Sequence, residues 1–370
     1  MRNPIVMVST CGTSSLTNGA SDETRRAINK FANQKQASDI PENVRQTLQE
    51  WISNRTTVLN STQSLAELQK LSAELNSLIR YYDGRPEGSR DQHFLVCTDT
   101  WLGHETAELL RRCLVRYFPS VQVHRVADLQ TGELAGFRLA MSELVKWSAE
   151  TLSGYHDNGY RVVLNLTGGF KSIQGFMQTL GMFYADESIY TFESGNELLS
   201  LPRLPVKLDT EGSVRAGLCA FRRAAVGLTV KAVEAAEIPE IFFQVDDGQA
   251  TLSPWGELAW RQTRKAIAGK SLLDPISPRL RLGPDFAKTV ASLIPDDRYM
   301  ALNERLDQLA RFLETGVNLN TLDFKKLQGN PMPPSTHEID AWADRGAPRL
   351  FGHYEDGIFI VDRFGKHLPD

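Results

Sequence analysis

The sequence predicts an α/β protein whose first half holds a mostly parallel sheet and whose last part is α+β. Two observations carry that expectation. Short apolar runs rich in β-branched residues recur at 5–10, 94–97, 121–126 and 161–166, with stretches of helical spacing between them; strands alternating with helices build a parallel sheet with right-handed crossovers. From about residue 208 the order changes to helix, hairpin and helix, and then to a helical pair followed by closely spaced strands. A chain of 370 residues is long enough for two or three cores.

In chain order, residues 5–10 read as a buried strand that runs into a loop of small hydroxyl residues around Gly12. Residues 20–79 are helical and polar, with apolar residues at helical spacing in 43–52 and 65–82 and a capping break at Asn60-Ser-Thr62. This insertion has no chemical motif and is expected to decorate the sheet or support a dimer. Residues 83–88 form a loop. The second strand, 94–97, ends in Thr98, Asp99 and Thr100 and precedes a helix over 103–117. The third, 121–126, is followed by Asp128, Leu129 and Gln130. A helix over 134–152 leads to the strand at 161–166, and a helix over 170–184 and a strand over 188–192 follow.

The stretch Arg161-Val-Val-Leu-Asn-Leu-Thr-Gly-Gly-Phe-Lys171 organises the rest. Its apolar run has the pattern of a strand buried on both faces. Gly168 and Gly169, between strand and helix, let the backbone approach a ligand and leave the first helical N–H groups facing outward, where they suit an anion. Lys171 adds a mobile positive charge. In a parallel sheet this loop and the one around Gly12 leave the carboxyl ends of their strands, so they can face one crevice. Thr98 and Asp99 lie at such an end too. His93 and His104 are expected to be structural or surface residues.

Ser9-Thr-Cys-Gly-Thr-Ser14, Thr167-Gly-Gly-Phe-Lys171 and Leu201-Pro-Arg-Leu-Pro-Val206 together resemble a CARF domain, the Rossmann-like sensor of cyclic oligoadenylates in CRISPR-associated proteins. The resemblance covers roughly the first 210 residues. It implies a homodimer, with two copies of the crevice facing a ring of nucleotides, usually cyclic tetra-adenylate. Carried onto this chain, the ligand-binding residues are Ser9, Thr10, Gly12, Thr13, Ser14, Thr98, Asp99, Thr167, Gly168, Gly169, Phe170 and Lys171. Some CARF domains also cut their own ligand, and the hydroxyl loop with Lys171 suits that reaction.

Past residue 208, residues 214–236 read as an apolar-periodic helical region. Residues 241–252 read as a hairpin around Asp246-Asp-Gly248, and Ser253-Pro254 starts a helix. This set resembles a small winged-helix connector, although the hairpin is acidic where a nucleic-acid wing is basic. After a linker at 269–278 come a short strand at 279–282, helices over 284–293 and 298–313, and strands over 336–342, 348–354 and 357–363, with a Glu355-Asp-Gly357 turn. That order, with Phe324-Lys-Lys-Leu-Gln-Gly329, Arg349-Leu-Phe351 and Asp356-Gly-Ile-Phe-Ile-Val361, resembles the RelE-like mRNA interferases.

That second resemblance implies metal-independent RNA cleavage, with in-line attack of a 2′-hydroxyl on the adjacent phosphate and cations facing the developing charge. By position it makes Arg349 the phosphate-binding arginine. Lys366 and His367 stand where relatives place an acid, and His337 or Glu338 where some place a base. Arg345 and His353 join the same set. Glu338 and Asp340 fall where some relatives carry paired lysines.

The net charge of −4 argues against broad attachment to nucleic acid or membrane. No apolar run approaches a membrane span and no secretory signal pattern is present, so the expected location is cytoplasmic. Cys11, Cys97, Cys113 and Cys219 lack metal-like spacing and read as reduced thiols. The expected organisation is a CARF domain at 1–212, a connector at 213–277 and a RelE-like domain at 278–370. The expected function is a type III CRISPR effector, whose RelE-like endoribonuclease is activated by a cyclic oligoadenylate and cuts mRNA on the ribosome, with no cofactor. The alternatives are a ring nuclease with a non-catalytic C-terminus and a ligand-responsive transcription regulator.

Overall fold

The computed structural model describes residues 3–130, 132–192, 197–207, 209–295, 297–318, 321–329, 331–344 and 348–366. The protein is a mixed α/β chain that divides into two compact units, Met1–Lys207 and Leu208–Asp370.

In the first unit β1 (Ile5–Thr10) leads through α1 (Ser14–Thr17), α2 (Asp22–Lys30), α3 (Glu42–Ser61), α4 (Leu65–Leu71) and α5 (Ala73–Tyr81) to β2 (Gln92–Cys97). Then come α6 (Trp101–Leu114), β3 (Ser120–Arg125), α7 (Leu134–Trp147), α8 (Ser153–Asp157), β4 (Arg161–Asn165), α9 (Lys171–Tyr184), β5 (Glu187–Thr191) and β6 (Leu198–Pro202). The strand order is β3-β2-β1-β4-β5-β6, parallel except for the antiparallel edge strand β6. Every residue of β1 is buried, as expected of a strand covered on both faces. The strand order reverses direction between β1 and β4, the position where open α/β sheets form their crevice.

Three local readings change. The helix expected over 134–152 ends at Trp147 and passes through a π-helical turn at Ser148–Leu152 into α8. β6 is an addition to the expected strands, and Pro202 is tolerated in it because it ends an edge strand. The helical stretch 65–82 breaks at Ser72, whose hydroxyl accepts from the N–H groups of Glu74 and Leu75 and so caps α5. That break places Glu74 in the first turn of α5.

The second unit opens with α10 (Glu211–Ala216), α11 (Leu218–Ala225), β7 (Val230–Lys231) and α12 (Ala232–Ala235), where one helical region was expected. Gly227, at φ 81°, ends the helical run because that backbone is open to glycine and strained for other residues. β8 (Phe243–Asp246) and β9 (Gln249–Leu252) form the expected hairpin, with Asp247 and Gly248 both at positive φ, and β7 pairs with β9. Ser253 caps α13 (Pro254–Ala268) with Pro254 in its first turn. These elements close over Val214, Phe221, Val230, Phe243 and Trp260.

There follow β10 (Leu280–Leu282), α14 (Phe286–Leu293), α15 (Tyr299–Thr315), β11 (Lys325–Lys326), β12 (His337–Asp340), β13 (Arg349–Glu355) and β14 (Ile358–Gly365). The strand order is β10-β14-β13-β12-β11, with β10 parallel to β14 and the other neighbours antiparallel. One face packs on α14 and α15 through Phe286, Leu302, Leu306, Ile339, Leu350 and Phe359. α11 is fastened to α15 inside this unit. Arg222 meets Asp307 bidentately at 2.6 and 3.1 Å, and Arg223 meets Glu314 at 2.9 and 3.1 Å. Burial pushes Asp307 up to about 6 against the opposing pull of Arg222. Among the described residues no helix is long and apolar enough to cross a membrane.

Candidate functional site

The two loops that the sequence singled out do meet. Thr10 Oγ1 donates to the Gly168 carbonyl at 2.6 Å, and a Cβ on Gly12 would lie 2.8 Å from the Gly169 nitrogen. Gly12 is therefore needed for backbone-to-backbone approach at the switch point. Gly169 adopts φ 94°, which turns the chain into α9. The first turn of α9 has no side-chain cap, and Lys171 and Ser172 are exposed there. Gln174 braces the loop by donating to the Gly168 carbonyl at 3.0 Å.

The crevice already contains an anion of the chain's own. Glu74 is 2% exposed, and its carboxylate accepts from the Gly12 N–H at 2.7 Å, from Ser14 Oγ at 2.7 Å and from Ser72 Oγ. The Ala73 N–H donates to Ser14 Oγ at 3.0 Å, which closes the set. A Cβ on Gly168 would fall 2.0 Å from Glu74 Oε1, so that glycine makes room for the carboxylate. Asn165 fixes the arrangement from below, donating to the Glu74 carbonyl at 3.2 Å and Ser9 Oγ at 3.3 Å while accepting from Ser77 Oγ at 2.7 Å. Two groups of the expected ligand set, the Gly12 N–H and the Ser14 hydroxyl, thus hold Glu74.

Sequence reasoning passed over Glu74, Ser72 and Asn165. The signal for Glu74 was the cap pattern at Ser72, inside a stretch read as continuous helix. Thr13 precedes α1 without a side-chain cap bond, and Thr167 Oγ1 accepts from the Thr191 N–H at 3.1 Å. Phe170 is the residue before α9 and is partly exposed.

Thr98 and Asp99 stand at the carboxyl end of β2, beside β1, and both are engaged by the fold. Thr98 shares a hydrogen bond with Thr100, which caps α6. Asp99 accepts from Arg125 Nε at 2.8 Å and the Asp128 N–H at 3.1 Å, with Lys35 at 3.5 Å. Burial works to raise Asp99, and those partners outweigh it and hold the carboxyl below its ordinary value. Burial and then Glu74 push the Cys11 thiol well up, and burial pushes Cys97 to about 12 and Cys113 to about 11. These are poor nucleophiles. His93 is buried against Tyr82 and Phe118, and burial lowers it to about 3.

In the second unit the register sorts the expected catalytic residues onto two faces. Glu338, Arg349 and His353 share the face turned away from α14 and α15, whereas His337 lies on the other face within an aromatic group of Phe324, Tyr354 and Phe359. Burial, and then Lys326, lower His337, which keeps its ring neutral near pH 7. Lys366 is exposed just after β14. Arg345 and His367 lie outside the described residues.

Arg349 is 13% exposed and held by Asp340, its cross-strand partner, and by Asp323 at 3.5 Å. Among the described residues the Glu338 Oε2 and Arg349 Nε atoms are buried without a hydrogen-bond partner. The β13–β14 register shifts by one residue, so Asp362 and Arg363 both turn to this face while Val361 and Phe364 remain in the core. Asp362 Oδ2 then accepts from Ser335 Oγ at 2.7 Å and lies 2.9 Å from His353 Nδ1. Sequence reasoning missed Asp362 and Ser335, because the bulge that pairs them with His353 leaves no mark in the apolar pattern.

Residues 69–204 match the sequence model of a family of CRISPR-associated proteins, Cas_APE2256. The match runs from α4 through β6 and takes in Glu74 and the Gly168–Gly169 loop. It supports a CRISPR-associated protein. A search of curated proteins finds no match.

Proposed function

We propose that the protein is an ancillary effector of a type III CRISPR system. In this reading a cyclic oligoadenylate, cyclic tetra-adenylate in the first instance, binds the crevice between β1 and β4 in a dimer, and the second unit cuts mRNA on the ribosome in the manner of RelE-like interferases. The observation that carries the reading is the crevice itself. Two glycine-bearing loops meet at the switch point of a parallel sheet, in a region that overlaps a match to CRISPR-associated proteins. In favour of the nuclease are the sheet order of the second unit and the shared face of Glu338, Arg349 and His353.

Two features refine the reading. A ring phosphate that takes the Gly12 N–H and Ser14 hydroxyl must displace Glu74, so empty and filled crevices differ at the start of α5. Arg349, clamped by Asp340 and Asp323, is held back from a phosphate until one of those carboxylates moves. The test is binding of labelled cyclic tetra-adenylate by wild type and Lys171→Ala. Saturable binding that the substitution weakens supports the sensor; no binding by the wild type removes it.

A further inference from the structure

We infer that His353 is the general base of the second unit's RNA cleavage and that Asp362 is its positioning residue, with Ser335 holding Asp362 in place. The inference rests on the nuclease reading above and adds the residues that do the proton transfer.

Asp362 is the extra residue of a bulge in β14. A regular ladder would alternate Val361, Asp362, Arg363 and Phe364 across the sheet; the register shift instead keeps both apolar side chains in the core and puts Asp362 and Arg363 together on the face of His353. Bulges of this kind re-aim a side chain at a functional place. The carboxylate is 11% exposed, and its Oδ2 receives the Ser335 hydroxyl at 2.7 Å and faces His353 Nδ1 at 2.9 Å. A carboxylate cannot donate to that nitrogen, so Nδ1 carries the proton and Nε2 is left with its lone pair.

The His353 side chain is 20% exposed, enough to reach a substrate and shielded enough to hold one orientation. The charged groups on its face are Glu338 and Asp340 from β12, Asp362 and Arg363 from β14 and Arg281 from β10, with Arg349 and Glu355 along its own strand. In the step proposed, Nε2 takes the proton of a ribose 2′-hydroxyl as that oxygen bonds to the adjacent phosphorus. The bond from phosphorus to the 5′-oxygen breaks, and the 5′-oxygen takes a proton from water. A 2′,3′-cyclic phosphate and a 5′-hydroxyl result, with no change of oxidation state.

The experiment is cleavage of a translating mRNA by the full chain with cyclic tetra-adenylate, as a pH–rate profile for wild type, His353→Gln and Asp362→Asn. General-base catalysis is worth roughly 100- to 10,000-fold, so His353→Gln is expected to lose at least 100-fold in rate with ring binding unchanged. Asp362→Asn is expected to lose roughly tenfold in rate with ring binding unchanged, because the imidazole loses the carboxylate that orients it. Wild-type rates in His353→Gln, or in Asp362→Asn, would overturn the assignment alone. A wild type that binds the ring but cuts nothing overturns the nuclease reading and the assignment with it. Nitrogen-15 shifts of His353 in the wild type give a check free of both variants: protonation at Nδ1 is expected, and a proton held at Nε2 refutes the dyad.

Discussion

Replacing Glu74 with Gln keeps the shape of the side chain and removes the charge that occupies the crevice. The amide oxygen can still accept from the Gly12 N–H, so the loop keeps its bond at 2.7 Å in weaker form. A charge-assisted hydrogen bond is worth about 1.5–3 kcal/mol and a neutral one about 0.5–1.5, so the first unit should lose about 1–2 kcal/mol. For a unit of 207 residues that is a fall in Tm of roughly 2–8 °C. The ligand gains about as much as the fold loses. A phosphate at roughly 8 Å from a displaced carboxylate feels about 2 kcal/mol of repulsion at an effective dielectric constant near 20. Its removal should tighten cyclic tetra-adenylate binding by roughly 30-fold, read by titration calorimetry beside a thermal unfolding scan. If Glu74 instead accepts from a ribose hydroxyl of the ligand, the substitution weakens binding. Equal or weaker affinity in a folded variant would refute the displacement argument.

Three further outcomes follow from the packing. Gly168→Ala places a Cβ 2.0 Å from Glu74 Oε1, an overpacking that should cost about 1–3 kcal/mol; an unchanged Tm would show that Glu74 is not seated there. Arg222→Met leaves Asp307 buried without its cation, which should cost about 3–5 kcal/mol near pH 8 by thermal unfolding. Asp307 sits at about 6 when folded against an ordinary 3.8, so its contribution is full below about pH 4 and lost as pH rises through 6. Loss of the cation raises Asp307 further, so the deficit should narrow toward pH 5, and a deficit independent of pH would contradict the account. Asp340→Asn weakens the clamp on Arg349 and should raise ring-dependent mRNA cleavage several-fold, whereas a fall would mean that Asp340 serves the reaction itself.

The parallel sheet was legible because β1, β2 and β4 are apolar on both faces, a pattern that depends on burial alone. The meeting of the two loops was legible for the same reason, since strand direction fixes which end a loop leaves. Glu74 was not. Its place depends on a one-residue break at Ser72, and a cap followed by helix-forming residues looks like uninterrupted helix in a periodicity argument. The region over 214–236 misled in the opposite way, because its Ala and Val spacing ran through glycines that end the helices. In the second unit, spacing placed Glu338, Arg349 and His353 on strands but could not assign their faces. Pairing did that, and the bulge at Asp362 depends on contacts with β13 that no local pattern encodes.

The most direct measurement of the central claim is cleavage of a translating mRNA in a reconstituted system, with and without cyclic tetra-adenylate, for wild type, Lys171→Ala and Arg349→Ala. The account predicts ribosome-dependent cuts that appear with the ring and are lost in both variants. Absence of mRNA cuts alongside steady consumption of the cyclic nucleotide would contradict it and leave a ring nuclease.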